Sequence, residues 1–234
     1  MIPHHPSDAL LLDYASGAAA EPVSLLVATH LTLCSQCREK VATYEAIGGM
    51  LIEEVDEADS LPESLKNSLL ESLDELDDSS LPVQSTGAGE STLTSKIPQP
   101  LRAYCKEAIE NAEWQWSGFG IKKIPLLETQ DDFDCYLLMI RGGKKVPKHD
   151  HAGNEWSLVL DGSFTDETGH FARGDIAERQ QGEKHQPVAG PGADCICLVV
   201  ADAPVRLTGP VGRLLNPIIR NSRAGRLLGE GSTQ

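Results

Sequence analysis

The chain has 234 residues, 40% hydrophobic but only 5% aromatic, with a formal net charge of −15 from 35 Asp and Glu against 20 Lys and Arg. That length accommodates two domains, each with a buried core, and so acidic a surface repels nucleic-acid phosphates and argues against direct DNA binding. No apolar run reaches the ~18 residues of a membrane span, and the opening MIPHHPSDALL lacks the pattern of a secretory signal, so a cytoplasmic protein without membrane association is expected.

The charge is uneven: residues 1–95 hold 17 acidic side chains against 3 basic ones. An acidic surface of this kind suits fast encounter with a basic protein partner. The first 78 residues read as helices. Ser7 caps a segment from Asp8 to Ser16 that stops at Gly17, and Pro22 opens a second helix running through Leu25, Leu26 and His30. A third runs from about Gln36 to Met50, with a break predicted near Gly48 and Gly49. Ser60 and Glu63 form a capping box for a fourth, whose leucines at 61, 65, 69, 73 and 76 make an apolar stripe beside an acidic face. Such a stripe packs on its own domain or lies in a partner's groove.

Between the second and third helices stands THLTLCSQC. His30 and Cys34 are one helical turn apart, and Cys34 and Cys37 have the spacing at which two thiolates at a helix start converge on one ion. Zinc takes four such ligands, so His30, Cys34 and Cys37 need one more, which His4 or His5 supplies. The six cysteines, in a chain without an export signal, are expected as reduced thiols rather than as a disulfide framework.

Residues 79–100, rich in Ser, Thr, Gly and Pro, read as a connector. A short helix from Leu101 to about Ala112 follows, and then short strands such as CYLLMIR, EWSLVLDG, GSFTDE, GHFARGD and DCICLVVAD. In GKKVPKHDHAGNEWSLVLDG, strand alternation puts His149 and His151 on one face, a turn brings Glu155 back to them, and His185 closes the set from elsewhere. Three imidazoles and a carboxylate suit Zn, Mn, Fe or Ni. Cys195 and Cys197 share one strand face, where they read either as a redox-sensitive pair or as inert core thiols, the more common case on a buried strand. The three tryptophans, Trp114, Trp116 and Trp156, read as core aromatics. Beyond about 205, a segment carries Arg213, Arg220, Arg223 and Arg226 without an assignable fold.

Two resemblances arise from these residues. The His-x3-Cys-x2-Cys pattern with a distal histidine resembles the zinc-binding domain of bacterial anti-sigma factors, in which the distal histidine lies about 25 positions upstream; this implies His5 rather than His4. Gly143-x5-His149-x-His151-x3-Glu155-x6-Gly162 matches the first cupin motif, and GHFARGDIAERQQGEKHQPVAG, with Gly169, Gly174 and His185, is similar to the second, the motif's Pro-x-Gly being only approximated by ARGD. The order of parts resembles the ChrR family of zinc-dependent anti-sigma factors.

That resemblance implies an N-terminal all-α four-helix zinc module over 1–78, a linker over 79–100, and an all-β cupin barrel with a C-terminal tail over 101–234. It implies two zinc ions, one on His5, His30, Cys34 and Cys37, the other on His149, His151, Glu155 and His185, with another divalent transition metal as an option in the cupin. It further implies an extracytoplasmic-function sigma factor as partner, released under oxidative stress such as singlet oxygen or organic peroxide, with the cupin reporting through the linker. The alternatives are a cupin dioxygenase or isomerase with a fused zinc domain, and a metal-storage protein or metallochaperone.

Overall fold

The computed structural model describes residues 2–54, 62–74, 96–111, 113–128 and 133–208. Helix α1 (Asp8–Ala15) starts where the Ser7 hydroxyl accepts from the Leu10 amide at 3.4 Å, and Gly17, at φ 75°, makes the left-handed step past its end. Helix α2 (Glu21–Leu31) carries Pro22 in its first turn and buries Val23, Leu25, Leu26, Val27, Thr29 and His30. A helix buried on so many sides is sandwiched. It packs on α1 on one side and on the β-sheet on the other.

Helix α3 (Ser35–Glu53) runs straight through Gly48 and Gly49, where a break was predicted. Each glycine costs about 1 kcal/mol relative to alanine, but the helix is nucleated long before them and Met50 and Leu51 are good helix formers, so propagation wins. Only Cys37 and Val41 of α3 are buried, whereas Ile47, Met50, Leu51 and Ile52 are exposed. Helix α4 (Glu63–Asp74) exposes Leu65, Leu69, Leu70 and Leu73. Ser60, Leu61 and Leu76 lie outside the described residues, as do 79–95 of the expected connector and the arginines from 213 onward.

The end of the expected connector is not a connector. Ile97 and Leu101 are buried, Lys96 pairs with Asp161 at 2.5 Å, and α5 (Gln99–Tyr104) starts from Pro98 with Pro100 in its first turn. Proline at a helix start loses no hydrogen bond, so the same residues that read as linker punctuation open a helix. The single helix expected from Leu101 is two pieces, because Cys105 leaves helical geometry before α6 (Lys106–Glu110).

Among the described residues eleven strands follow: β1 (Gln115–Trp116), β2 (Ile121–Glu128), β3 (Asp134–Ile140), β4 (His149–His151), β5 (Glu155–Asp161), β6 (Ser163–Asp166), β7 (Gly169–Ala172), β8 (Ile176–Arg179), β9 (Val188–Ala189), β10 (Cys195–Ala201) and β11 (Val205–Leu207). They form an antiparallel six-stranded sheet β1-β2-β3-β10-β5-β8, a pair β11-β4 and a three-stranded sheet β7-β6-β9. The β5–β6 turn needs Gly162, since at φ 68° a Cβ would stand 2.4 Å from the Asp194 carbonyl oxygen.

Alternation along the large sheet splits the core in two. Leu137, Leu158, Leu160, Ile196, Leu198 and Val200 face the helices and share one cluster with Leu10, Leu11, Leu26 and Leu101. Tyr136, Leu138, Ile140, Val159, Cys195, Cys197 and Val199 face the other way, onto Phe164, Phe171 and Ala189 of the small sheet. Helices and sheet therefore share a continuous core instead of each burying its own. Of the three tryptophans read as core, Trp114 and Trp156 pack against this cluster, while Trp116 is exposed.

Two candidate metal centres

His30 stands in the last turn of helix α2. The amides of Leu33 and Cys34 fold back onto the His30 carbonyl at 2.8 and 3.0 Å, and the chain restarts as α3 with Cys34 at the N-cap and Cys37 in the first turn. The segment before α1 delivers His5, whose Nδ1 lies 3.4 Å from Cys34 Sγ and 3.3 Å from Cys37 Sγ. Ligand atoms of His5, His30, Cys34 and Cys37 all fall within 4.8 Å of one another. A zinc tetrahedron with bonds of about 2.0 Å to nitrogen and 2.3 Å to sulfur has N-to-S edges of about 3.5 Å, which this spacing matches. His4 is elsewhere: its Nε2 lies 3.1 Å from the His170 carbonyl oxygen and its ring packs on Phe171.

His30 Nδ1 donates to the Gly174 carbonyl at 2.8 Å, so its Nε2 is the bare nitrogen, and this atom is buried without a hydrogen-bond partner. An orphaned buried acceptor costs about 1–3 kcal/mol, a cost that a cation beside the two sulfurs removes. Burial lowers the His30 imidazole to about 4, so it stays neutral at neutral pH, while burial and the adjoining Cys34 raise the Cys37 thiol to about 12. A divalent ion would have to displace that thiol proton.

The second cluster sits between the sheets. Strand β4 presents His149 and His151 inward with Asp150 between them, and an isolated bridge to His149 brings in His185. His149 Nε2 and His185 Nε2 are 2.8 Å apart, and His151 Nε2 and His185 Nε2 are 3.0 Å apart. His149 Nδ1 donates to the Pro147 carbonyl at 2.8 Å and His185 Nδ1 to Asp166 Oδ2 at 3.3 Å. Those bonds fix both tautomers with their Nε2 lone pairs facing each other, an arrangement that a shared cation stabilises.

Glu155, the expected fourth ligand, is buried nearby: its Oε2 is 3.6 Å from His151 Nδ1, and its Oε1 accepts from Ser157 at 3.4 Å. The tightly convergent group is the three histidines. A cavity of about 310 Å³ opens beside them, lined by Tyr136, Leu138, Val146, Phe164, Cys197 and Arg179.

Several supporting residues escaped the sequence. Asp166 binds His185 and the buried Arg179 guanidinium, and accepts from Thr168. Burial opposes its charge, but those hydrogen bonds outweigh burial and hold the carboxyl well below the usual carboxylate range. Asp166 lies outside both motifs' ligand positions, so no spacing marks it. Cys195 and Cys197 have sulfurs 3.7 Å apart, and the contact with Cys195 together with burial holds the Cys197 thiol well above its ordinary value, as for an unreactive core thiol.

These shifts set a pH dependence. Burial lowers His30, His149 and His151 each to about 4 from an unfolded value of 6.5. Between those values the unfolded chain binds more protons than the folded one, so stability falls as pH drops through that window. Asp166 acts below it, its contribution being lost as pH falls beneath the normal carboxylate range. The melting midpoint of metal-stripped protein is expected to be flat between about pH 7 and pH 8 and to fall steadily from there toward pH ~4; a midpoint that rose on acidification from about pH 7 to pH 4 would contradict the buried-neutral assignment.

No helix among the described residues is long and apolar enough to cross a membrane. Residues 105–204 match the model of the ChrR cupin-like domain. The anti-sigma-E factor ChrR of Cereibacter sphaeroides is 39% identical over 219 residues, spanning 94% of this chain and 99% of that protein. The crystal structure of Rhodobacter sphaeroides SigE in complex with the anti-sigma ChrR contains a chain that is 40% identical and superposes with a TM-score of 0.71, covering 86% of this chain and 100% of that one.

Proposed function

The chain belongs to the ChrR family of anti-sigma factors, and on that premise we propose that it binds and inhibits an extracytoplasmic-function sigma factor, holding one zinc ion among its helices and a second divalent ion in a cupin barrel. The observation that carries this reading is the convergence of His5, His30, Cys34 and Cys37 at the root of α3, the helix whose far end exposes Ile47, Met50, Leu51 and Ile52. The first four helices act as the zinc module, and the three sheets act as the barrel around His149, His151, His185 and the adjoining Glu155. Held by these residues, a zinc ion would supply one node joining segments that are separate in sequence.

The chain's own residues do the rest. Cys34 and Cys37 hold the start of α3 against α2, and His5 ties the segment before α1 to the same point, so the helix surface offered to the sigma factor depends on the cluster. The acidic first 95 residues favour a basic partner. Oxidative stress, singlet oxygen or an organic peroxide, frees the sigma factor through a change that begins at the cupin. Co-purification with candidate sigma factors of the source organism tests this: a 1:1 complex and two metal equivalents per chain are expected, and metal-replete protein that retains none of them overturns it. In the same assay His185→Asn is expected to lower bound metal from two equivalents to one; retention of both would remove His185 from the ligand set.

A further inference from the structure

One imidazole of the helical cluster, and the backbone segment that carries the other, are held by one turn of the β-sheet unit. His30 Nδ1 donates to the carbonyl of Gly174, between β7 and β8. The segment carrying His5 lies along the same turn: the Ile176 amide donates to the His4 carbonyl at 3.1 Å, the His4 amide to Asp175 Oδ1 at 3.2 Å, and the Ser7 amide to Glu178 Oε1 at 2.7 Å. Asp175 is 2% exposed, and its other oxygen accepts from the Ala172 amide at 2.8 Å. One buried carboxylate thus ties its own turn to the N-terminal segment. Gly174 closes the contact, since at φ 94° a Cβ would sit 2.6 Å from Ile2 Cδ1 and 3.7 Å from Leu33 Cβ.

The other end of this element belongs to the second cluster. Strand β8 ends at Arg179, whose guanidinium bonds Asp166, and Asp166 holds His185. Only residues 174–179 and one carboxylate separate the carbonyl that orients His30 from the group that orients His185.

We propose that the cupin turn 172–178 is the outer shell of the helical metal site, with Asp175 and the Gly174 carbonyl as its positioning groups, and that the two metal sites are coupled through this contact. The inference rests on the helical cluster binding metal as proposed above. Imidazole ligands depend on the acceptor that orients their other nitrogen, and loss of such a partner typically lowers metal affinity 10–100-fold. Coupling of this kind is reciprocal: a ligand change at His185 alters metal retention by His5, His30, Cys34 and Cys37. The signal then needs no path along the connector, which was the route the sequence suggested.

The test uses full-length protein loaded with Co²⁺, because only a cysteine-bearing site gives a thiolate-to-cobalt charge-transfer band. Asp175→Ala is expected to weaken cobalt binding at that band 10–100-fold, and Asp166→Asn, distant in sequence from every helical ligand, is expected to weaken cobalt binding at the same band, and so speed its loss, by at least about fivefold, the lower end of allosteric couplings. Should Asp175→Ala fail to fold, Glu178→Ala, at the more exposed end of the contact, is expected to shift affinity in the same direction. Folded variants whose charge-transfer titrations and loss rates all match the parent within about twofold overturn the coupling. A parent protein with no such band overturns the metal reading itself, so the two failures are distinguishable.

Discussion

Replacing Cys34 and Cys37 together with alanine is expected to remove one of the two metal equivalents and to weaken sigma-factor binding by at least about 100-fold, provided structural zinc here is worth even part of the roughly 10–16 kcal/mol seen in small zinc modules. The magnitude follows from how little else fixes this corner. Of α3, only Cys37 and Val41 are fully buried, with Tyr44 packed at the edge of the core, so the helix has few apolar attachments and one of them is a candidate ligand. Without the thiolates, His30 Nε2 keeps its uncompensated burial, and the His5 segment loses its contact with α3. Metal analysis beside isothermal titration of the sigma factor checks this. Undiminished sigma binding by the double variant would mean that the cluster does not shape the binding surface.

The second large effect is expected on α4. Leu65, Leu69 and Leu73 recur four residues apart and so lie along one face, and all three are exposed, at 46, 56 and 60%. Leucines left in water at this spacing are the anchors of a helix laid into a partner's groove. Burying each on binding is worth about 1.5–3 kcal/mol, so Leu69→Ala with Leu73→Ala is expected to weaken the complex roughly 100-fold or more. The same substitutions remove no contact from the core, and the melting midpoint of the free protein is expected to stay within about 2 °C. A large drop in midpoint with little loss of affinity would reverse the assignment and make the stripe an internal packing face.

The two kinds of reading differ in what they depend on. Helices α1, α2 and α4 were legible because their signals are local: Ser7 as cap, Gly17 as stop, Pro22 in a first turn, leucines four apart. The break expected at Gly48 and Gly49 was not found, since a local penalty of about 1 kcal/mol per glycine is outweighed by propagation from a helix already formed. Pro98 and Pro100 misled in the opposite direction, because proline marks both connectors and helix starts, and only the burial of Ile97 and Leu101 decides which.

The sequence alone determined the candidate ligand types and their pairing in space: cysteines three positions apart at a helix start, and histidines at alternate positions on a strand, are placed by backbone period. Tertiary structure alone decided what orients them. The Gly174 carbonyl reaches His30 across 144 positions, and Asp166 reaches His185 from a neighbouring sheet. A backbone carbonyl has no residue identity to read, and a lone carboxylate has no spacing. Such partners come into being only when separate elements pack, as the shared core of α1, α2 and the large sheet makes them do.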